Sequence, residues 1–93
     1  MATLTEEQIT ERLGRLSGWS REGTMIQKTF KLQSFPGAIA FVIHVAFLAE
    51  AANHHPDIDI RYNKVTMSLT THDAGGLTEK DFNLAAEMDE FMA

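Results

Sequence analysis

From Phe35 to Ala49 the chain runs fifteen residues with no charge and only His44 to interrupt its apolar character. Ser34 is placed to cap a helix there, and Pro36 falls in the first turn, where a missing N–H costs nothing. The helix is expected from about Phe35 to Asn53, ending before Pro56, because the residue preceding a proline avoids the helical region. Ile39, Phe41, Val42, Ile43, Val45, Phe47 and Leu48 cannot all face one partner. A helix of this kind is buried on two sides. Fifteen helical residues span only about 22 Å, short of the ~30 Å hydrocarbon core, so a membrane span is not expected. A chain of 93 residues buries roughly 64% of its unfolded surface, enough for one modest core. One side of the helix must then meet a sheet, and the other is expected to meet another subunit.

The flanking sequence supplies the sheet. Thr5-Glu6-Glu7-Gln8 has capping-box spacing and opens a first helix with Ile9, Leu13 and Leu16 on one face, weakened by Gly14 and Gly18. After Trp19 and the polar turn Arg21-Glu22-Gly23, Ile26, Phe30 and Leu32 alternate with Gln27, Thr29 and Lys31, with Lys28 as the exception on the apolar face. Ile58, Ile60 and Tyr62 alternate with Asp57, Asp59 and Arg61 as a third strand, and Asn63 makes a tight turn. Val65, Met67 and Leu69 alternate with Lys64, Thr66, Ser68 and Thr70 as a fourth. Ala74-Gly75-Gly76 breaks the chain. Thr78 with Asp81 caps a last helix whose apolar stripe is Leu84, Met88 and Phe91. The order αββαββα implies an α+β fold: one antiparallel four-stranded sheet with helices packed on one face, forming a single domain over residues 1–93.

Composition removes several chemistries. With no cysteine, disulfide scaffolds, thiolate nucleophiles and Cys-ligated metals are excluded, and a reducing compartment is favoured. A net charge of −5, from 8 basic and 13 acidic residues, argues against direct nucleic-acid binding. The opening residues are neither basic nor apolar, so no signal peptide is expected.

Chemistry is left to the histidines, whose unperturbed pKa near 6.5 suits proton transfer near neutrality. His54 and His55 end the long helix. His72 follows the fourth strand with the parity of its polar face, so it is not a core residue. Glu50, four residues before His54, would pair with it on one helical face, either as a stabilising contact or as a carboxylate that orients the imidazole. Asp81 reads most simply as a capping residue, and His44 as a structural or interface residue. Three histidines and a carboxylate are also a conceivable zinc or iron set, but no HxxxH or HExxH spacing occurs, and no metal is expected.

The string Glu50-Ala51-Ala52-Asn53-His54-His55-Pro56, followed by Tyr62, His72 and Asp81, has the spacing Glu-x3-His-His-Pro-x5-Tyr-x9-His-x8-Asp. It resembles the motif of the pterin-4a-carbinolamine dehydratases, without a gap. Gly18-Trp19, Phe30, Phe35, Phe41, Tyr62-Asn63-Lys64-Val65, Thr71-His72 and Gly76-Leu77-Thr78 extend the resemblance over nearly the whole chain. It implies dehydration of a 4a-hydroxytetrahydropterin to quinonoid dihydropterin, which recycles the cofactor of an aromatic amino acid hydroxylase. It implies His54, His55 and His72 as catalytic residues, with Glu50, Asn53, Pro56, Thr71 and Asp81 binding substrate or supporting the site. No cofactor is implied. A cytoplasmic homodimer or homotetramer built through the 35–53 helix is, with no membrane contact. The alternative implied by other family members is a binding, assembly or transcription-coactivator role on the same oligomeric scaffold.

Overall fold

The computed structural model describes residues 2–92. Helix α1 (Glu6–Gly14) is followed by strands β1 (Ser20–Glu22) and β2 (Met25–Lys31), helix α2 (Phe35–Ala52), strands β3 (Asp57–Arg61) and β4 (Lys64–Leu69), a 3-10 turn (His72–Ala74) and helix α3 (Glu79–Met92). The strands form one antiparallel sheet in the order β1-β2-β4-β3. The expected α+β architecture and element order are both present.

Register explains the two faces. Ile26 opposes Leu69, Lys28 opposes Met67 and Phe30 opposes Val65. These side chains point toward the helices, and Ile26, Met67, Leu69 and Val65 are completely buried there. The opposite face is polar: Thr29 and Thr66, paired in register, share a hydroxyl–hydroxyl bond of 2.8 Å. Ala38, Phe41, Val45 and Ala49 of α2 and Leu84, Ala85 and Met88 of α3 complete the core. Phe41 lies at its centre, 4.7 Å from the Phe30 ring. Lys28 is accommodated on the apolar side because its ammonium reaches out to the Asp89 carboxylate and the Ser17 carbonyl, each at 2.7 Å. The Trp19 indole donates to the other Asp89 oxygen.

Local signals hold at most boundaries. Thr5 and Gln8 form the full capping box on α1. Ser34 accepts the Gly37 N–H at the start of α2. Two expectations are corrected. Leu16 packs on the core but lies past the end of α1. Tyr62 does not extend β3; it stands in the turn with φ 55°, because Arg61 already pairs with Lys64 and the two-residue connection needs a positive φ. Helix α2 is 18 residues long, and by length and apolarity alone it passes for a membrane span. Its Ala38–Phe41–Val45–Ala49 stripe is instead occupied by the protein's own core. Its other face is open: Phe35, Ile43 and Phe47 are exposed, Phe47 to 73%.

Candidate active site

The end of α2, the end of β4 and the start of α3 meet at one end of the sheet. Between them lies a cavity of about 230 Å³ lined by Asn53, His54, His55, Thr70, Thr71, His72, Asp73 and Lys80. The three histidines, from two separate stretches of chain, therefore share one cleft.

Each is set by its backbone. Asn53 closes α2 in the left-handed conformation (φ 50°, ψ 46°). Its N–H and that of His54 turn back to the last helical carbonyls, with His54 N donating to Ala49 O at 3.0 Å. This is the Schellman arrangement, in which asparagine is tolerated because it enters the left-handed region more easily than most residues. His72 opens a small closed loop. Thr71 and Gly76 bridge across its base, Ala74 and Gly75 donate to the Thr71 carbonyl, and Gly75 takes the positive φ that the reversal requires.

The left-handed step takes His54 out of helical phase, and this corrects the expected Glu50–His54 pair. Glu50 bonds His55, Oε1 to Nε2 at 2.6 Å, and both side chains are exposed. His54 turns inward, its Nε2 2.5 Å from Asp81 Oδ1. Asp81 is fully buried. Its Oδ2 accepts the Thr71 hydroxyl at 2.8 Å and the Thr78 N–H at 2.9 Å. Thr71 has one hydroxyl proton and gives it to Asp81, so the Thr78 hydroxyl donates into Thr71 across 2.8 Å. Asp81 thus caps α3, as its position indicates, and also holds a histidine.

Both Asp81 oxygens act as acceptors, so His54 presents a proton at Nε2, and Nδ1 is the ring nitrogen left free of that contact. Nδ1 has no protein partner. Since no buried side-chain nitrogen or oxygen among the described residues lacks a partner, Nδ1 is reached by solvent, and His54 is one of the residues that line the cavity. His72 and His55 are exposed on the cavity wall. The arrangement provides one imidazole anchored at Nε2 and two exposed ones, which is enough to take a proton at one position and deliver one at another.

Of the other residues singled out by sequence, Asn53 and Thr71 line the cavity, Glu50 reaches it through His55 and Asp81 through His54. Pro56 does not line it and acts on chain direction after the histidines. Thr70, Asp73 and Lys80 line it without having been singled out. Thr70 carried only a strand-parity signal, and Asp73 only its place beside His72. Thr78, read as a cap, also completes the hydrogen-bond chain behind His54. Among the described residues no group of three His, Asp or Glu side chains is arranged to hold a metal ion.

A family model described as pterin 4 alpha carbinolamine dehydratase matches residues 2–91. A protein of Roseiflexus sp. (strain RS-1), named "Putative pterin-4-alpha-carbinolamine dehydratase", is 70% identical over 99% of this chain and 100% of its own length. A protein of the same name from Chloroflexus aurantiacus is 65% identical over 99% of both chains. The fold superposes on a transcriptional coactivator/pterin dehydratase from Brucella melitensis with TM-score 0.94 and 34% identity, covering 98% of this chain and 99% of that one. It also resembles a pterin dehydratase-like protein identified as a RuBisCO assembly factor in the alpha-carboxysome: TM-score 0.63, 26% identity, 77% of this chain and 83% of that one.

Proposed function

The chain belongs to the pterin 4 alpha carbinolamine dehydratase family, and from that premise we propose that it dehydrates a 4a-hydroxytetrahydropterin to quinonoid dihydropterin and water. In this elimination the C4a–O bond breaks while the N5 lone pair closes a C4a–N5 double bond. The N5 proton passes to a base, and the hydroxyl leaves as water after receiving a proton from an acid. The observation that carries the reading is the convergence of His54, His55 and His72 on one cavity. The reaction requires proton donors and acceptors, and the cavity is built of them.

His54 and His72 form the acid–base pair, and His55 positions the pterin or its hydroxyl. His54 Nδ1, left free by the Asp81 contact at Nε2, suits the role of base. Two imidazoles reaching the ring from opposite sides would serve both epimers of the carbinolamine. That part of the proposal fails if His54→Ala and His72→Ala slow both epimers equally. The chain works as a homodimer or homotetramer through the open face of α2, as one domain, supplying a hydroxylase with recycled cofactor. The absence of cysteine is compatible with a cytoplasmic setting. The structural relatives named for coactivation and assembly make a non-catalytic binding role the second reading. The intact histidine set favours catalysis.

The test is stopped-flow ultraviolet decay of a 4a-hydroxytetrahydropterin with purified protein. Wild type is expected to accelerate decay, and His54→Ala or His72→Ala to remove about 10²–10⁴ of the rate each. Decay at the uncatalysed rate with folded wild type would defeat the dehydratase reading and favour the binding role.

A further inference from the structure

We propose that Lys80 is a substrate-binding and specificity residue, whose ammonium holds the C4 carbonyl edge of the pterin. The proposal rests on the dehydratase reading above. Lys80 is the second residue of α3 and lines the same cavity as the three histidines.

Its surroundings do not account for a lysine there. The positive end of a helix favours acidic side chains, and a cation in the first turn runs against the local field. Both neighbours in sequence obey that rule, but neither neutralises Lys80. Glu79 pairs with Arg12 of α1, and Asp81 is engaged by His54, Thr71 and Thr78. Lys80 gives its backbone N–H to Thr78 Oγ1 at 3.3 Å. Among the described residues its ammonium has no ion pair or hydrogen bond, whereas the Lys28 ammonium is held by Asp89 and Ser17. Lys80 is half-buried on the wall of the cavity, and its three donors are unspent. Local preference broken at a cleft is where function is expected to override the folding rules.

The chemistry of the substrate supplies the acceptor. A pterin presents its C4 carbonyl beside C4a, the carbon that loses hydroxyl. The histidines are committed to proton transfer and to positioning the hydroxyl. An ammonium on the carbonyl fixes the ring so that C4a faces them, and a charge-assisted bond of this kind discriminates sharply against a ring that lacks the acceptor.

The experiment compares the binding of two stable probes, 7,8-dihydropterin with its 4-oxo group and 2,4-diaminopteridine with a donor in its place, by fluorescence titration. The proteins are wild type, Lys80→Met and Lys80→Arg, each checked for native circular dichroism. Wild type is expected to prefer the 4-oxo probe. Lys80→Met should weaken that probe about 10- to 100-fold while leaving the 4-amino probe within about threefold, and Lys80→Arg should restore most of the preference. In turnover, Lys80→Met should raise KM more than it lowers kcat. Equal binding of the 4-oxo probe by wild type and Lys80→Met would overturn the assignment of Lys80 and leave the dehydratase reading standing. No binding of either probe and no turnover by wild type would overturn both.

Discussion

Asp81 touches no part of the cavity, yet His54 depends on it. Replacing Asp81 by asparagine preserves size and removes the acceptor-only character of the group. The amide can then turn its N–H toward His54 and free the ring to present the wrong nitrogen. Asp81→Asn is expected to lower kcat about 10- to 100-fold, with KM nearly unchanged. Glu50→Gln, on the exposed His55 pair, should stay within about threefold, because a solvent-exposed polar contact is worth little. Stopped-flow turnover of both variants measures the contrast, and equal losses would refute the inward pairing as the one that matters. The motif made His54, His55 and His72 legible before any fold was known. The pairing was not legible. Glu50 and His54 are four apart, and only a residue in left-handed conformation at Asn53 makes that spacing misleading. Lys80 was invisible for a different reason: a lone lysine on a helix has no signature until its neighbours are seen to be engaged elsewhere.

Elements were legible wherever a short-range rule decided them. Thr5 with Gln8 marks one helix start by reciprocal hydrogen bonds, and Ser34 marks another by accepting the Gly37 N–H, with Pro36 in the first turn; the four strands follow from alternation. Tyr62 was misread because its parity continued β3, whereas the turn was fixed by pairing with β4. Contacts between elements are longer in range and carry no local signal, among them the tie from α1 to β1. Glu6 binds Arg21 in two places, Oε1 to Nη1 at 2.7 Å and Oε2 to Nη2 at 3.0 Å. The hydrogen bonds and charge of Arg21 hold the Glu6 carboxyl below its ordinary value of 4.5. A carboxyl depressed in the folded state binds fewer protons there than in the unfolded chain. Its stabilisation is present above about pH 4.5 and is lost as pH falls through the folded value. Glu6→Gln should therefore lie slightly below wild type in stability at neutral pH, and the gap should close in acid. Urea midpoints measured across that range give the answer, and a gap that widens in acid would contradict the sign.

At the scale of the whole molecule, the open face of α2 is the surface on which the proposed oligomer would form. Pro36, Ala40, Ile43, Phe47 and Glu50 are all exposed, and their spacing of four, three, four and three residues is the seam of a helix that packs lengthwise on another helix. The seam is apolar until Glu50, where it reaches the His55 wall of the cavity. A contiguous apolar stripe of this kind is uncommon on a monomer. A second copy is the simplest cover, since a two-fold contact lays the same stripe against itself. The size argument made from sequence leads to the same place: a small chain with one modest core gains by sharing a second. Phe47→Asp puts a charge on the most exposed aromatic ring of the molecule, 73% accessible, and a two-fold axis brings its counterpart nearby, where like charges repel. Wild type should emerge from size-exclusion chromatography with light scattering at a multiple of 10.4 kDa, and Phe47→Asp at the mass of one chain. Because Phe47 does not enter the core, circular dichroism should be unchanged, so loss of assembly is separable from loss of fold. If wild type is itself a monomer at micromolar concentration, the stripe is not a self-association surface. It would then fit the binding role kept as the second reading, with a different protein as its cover.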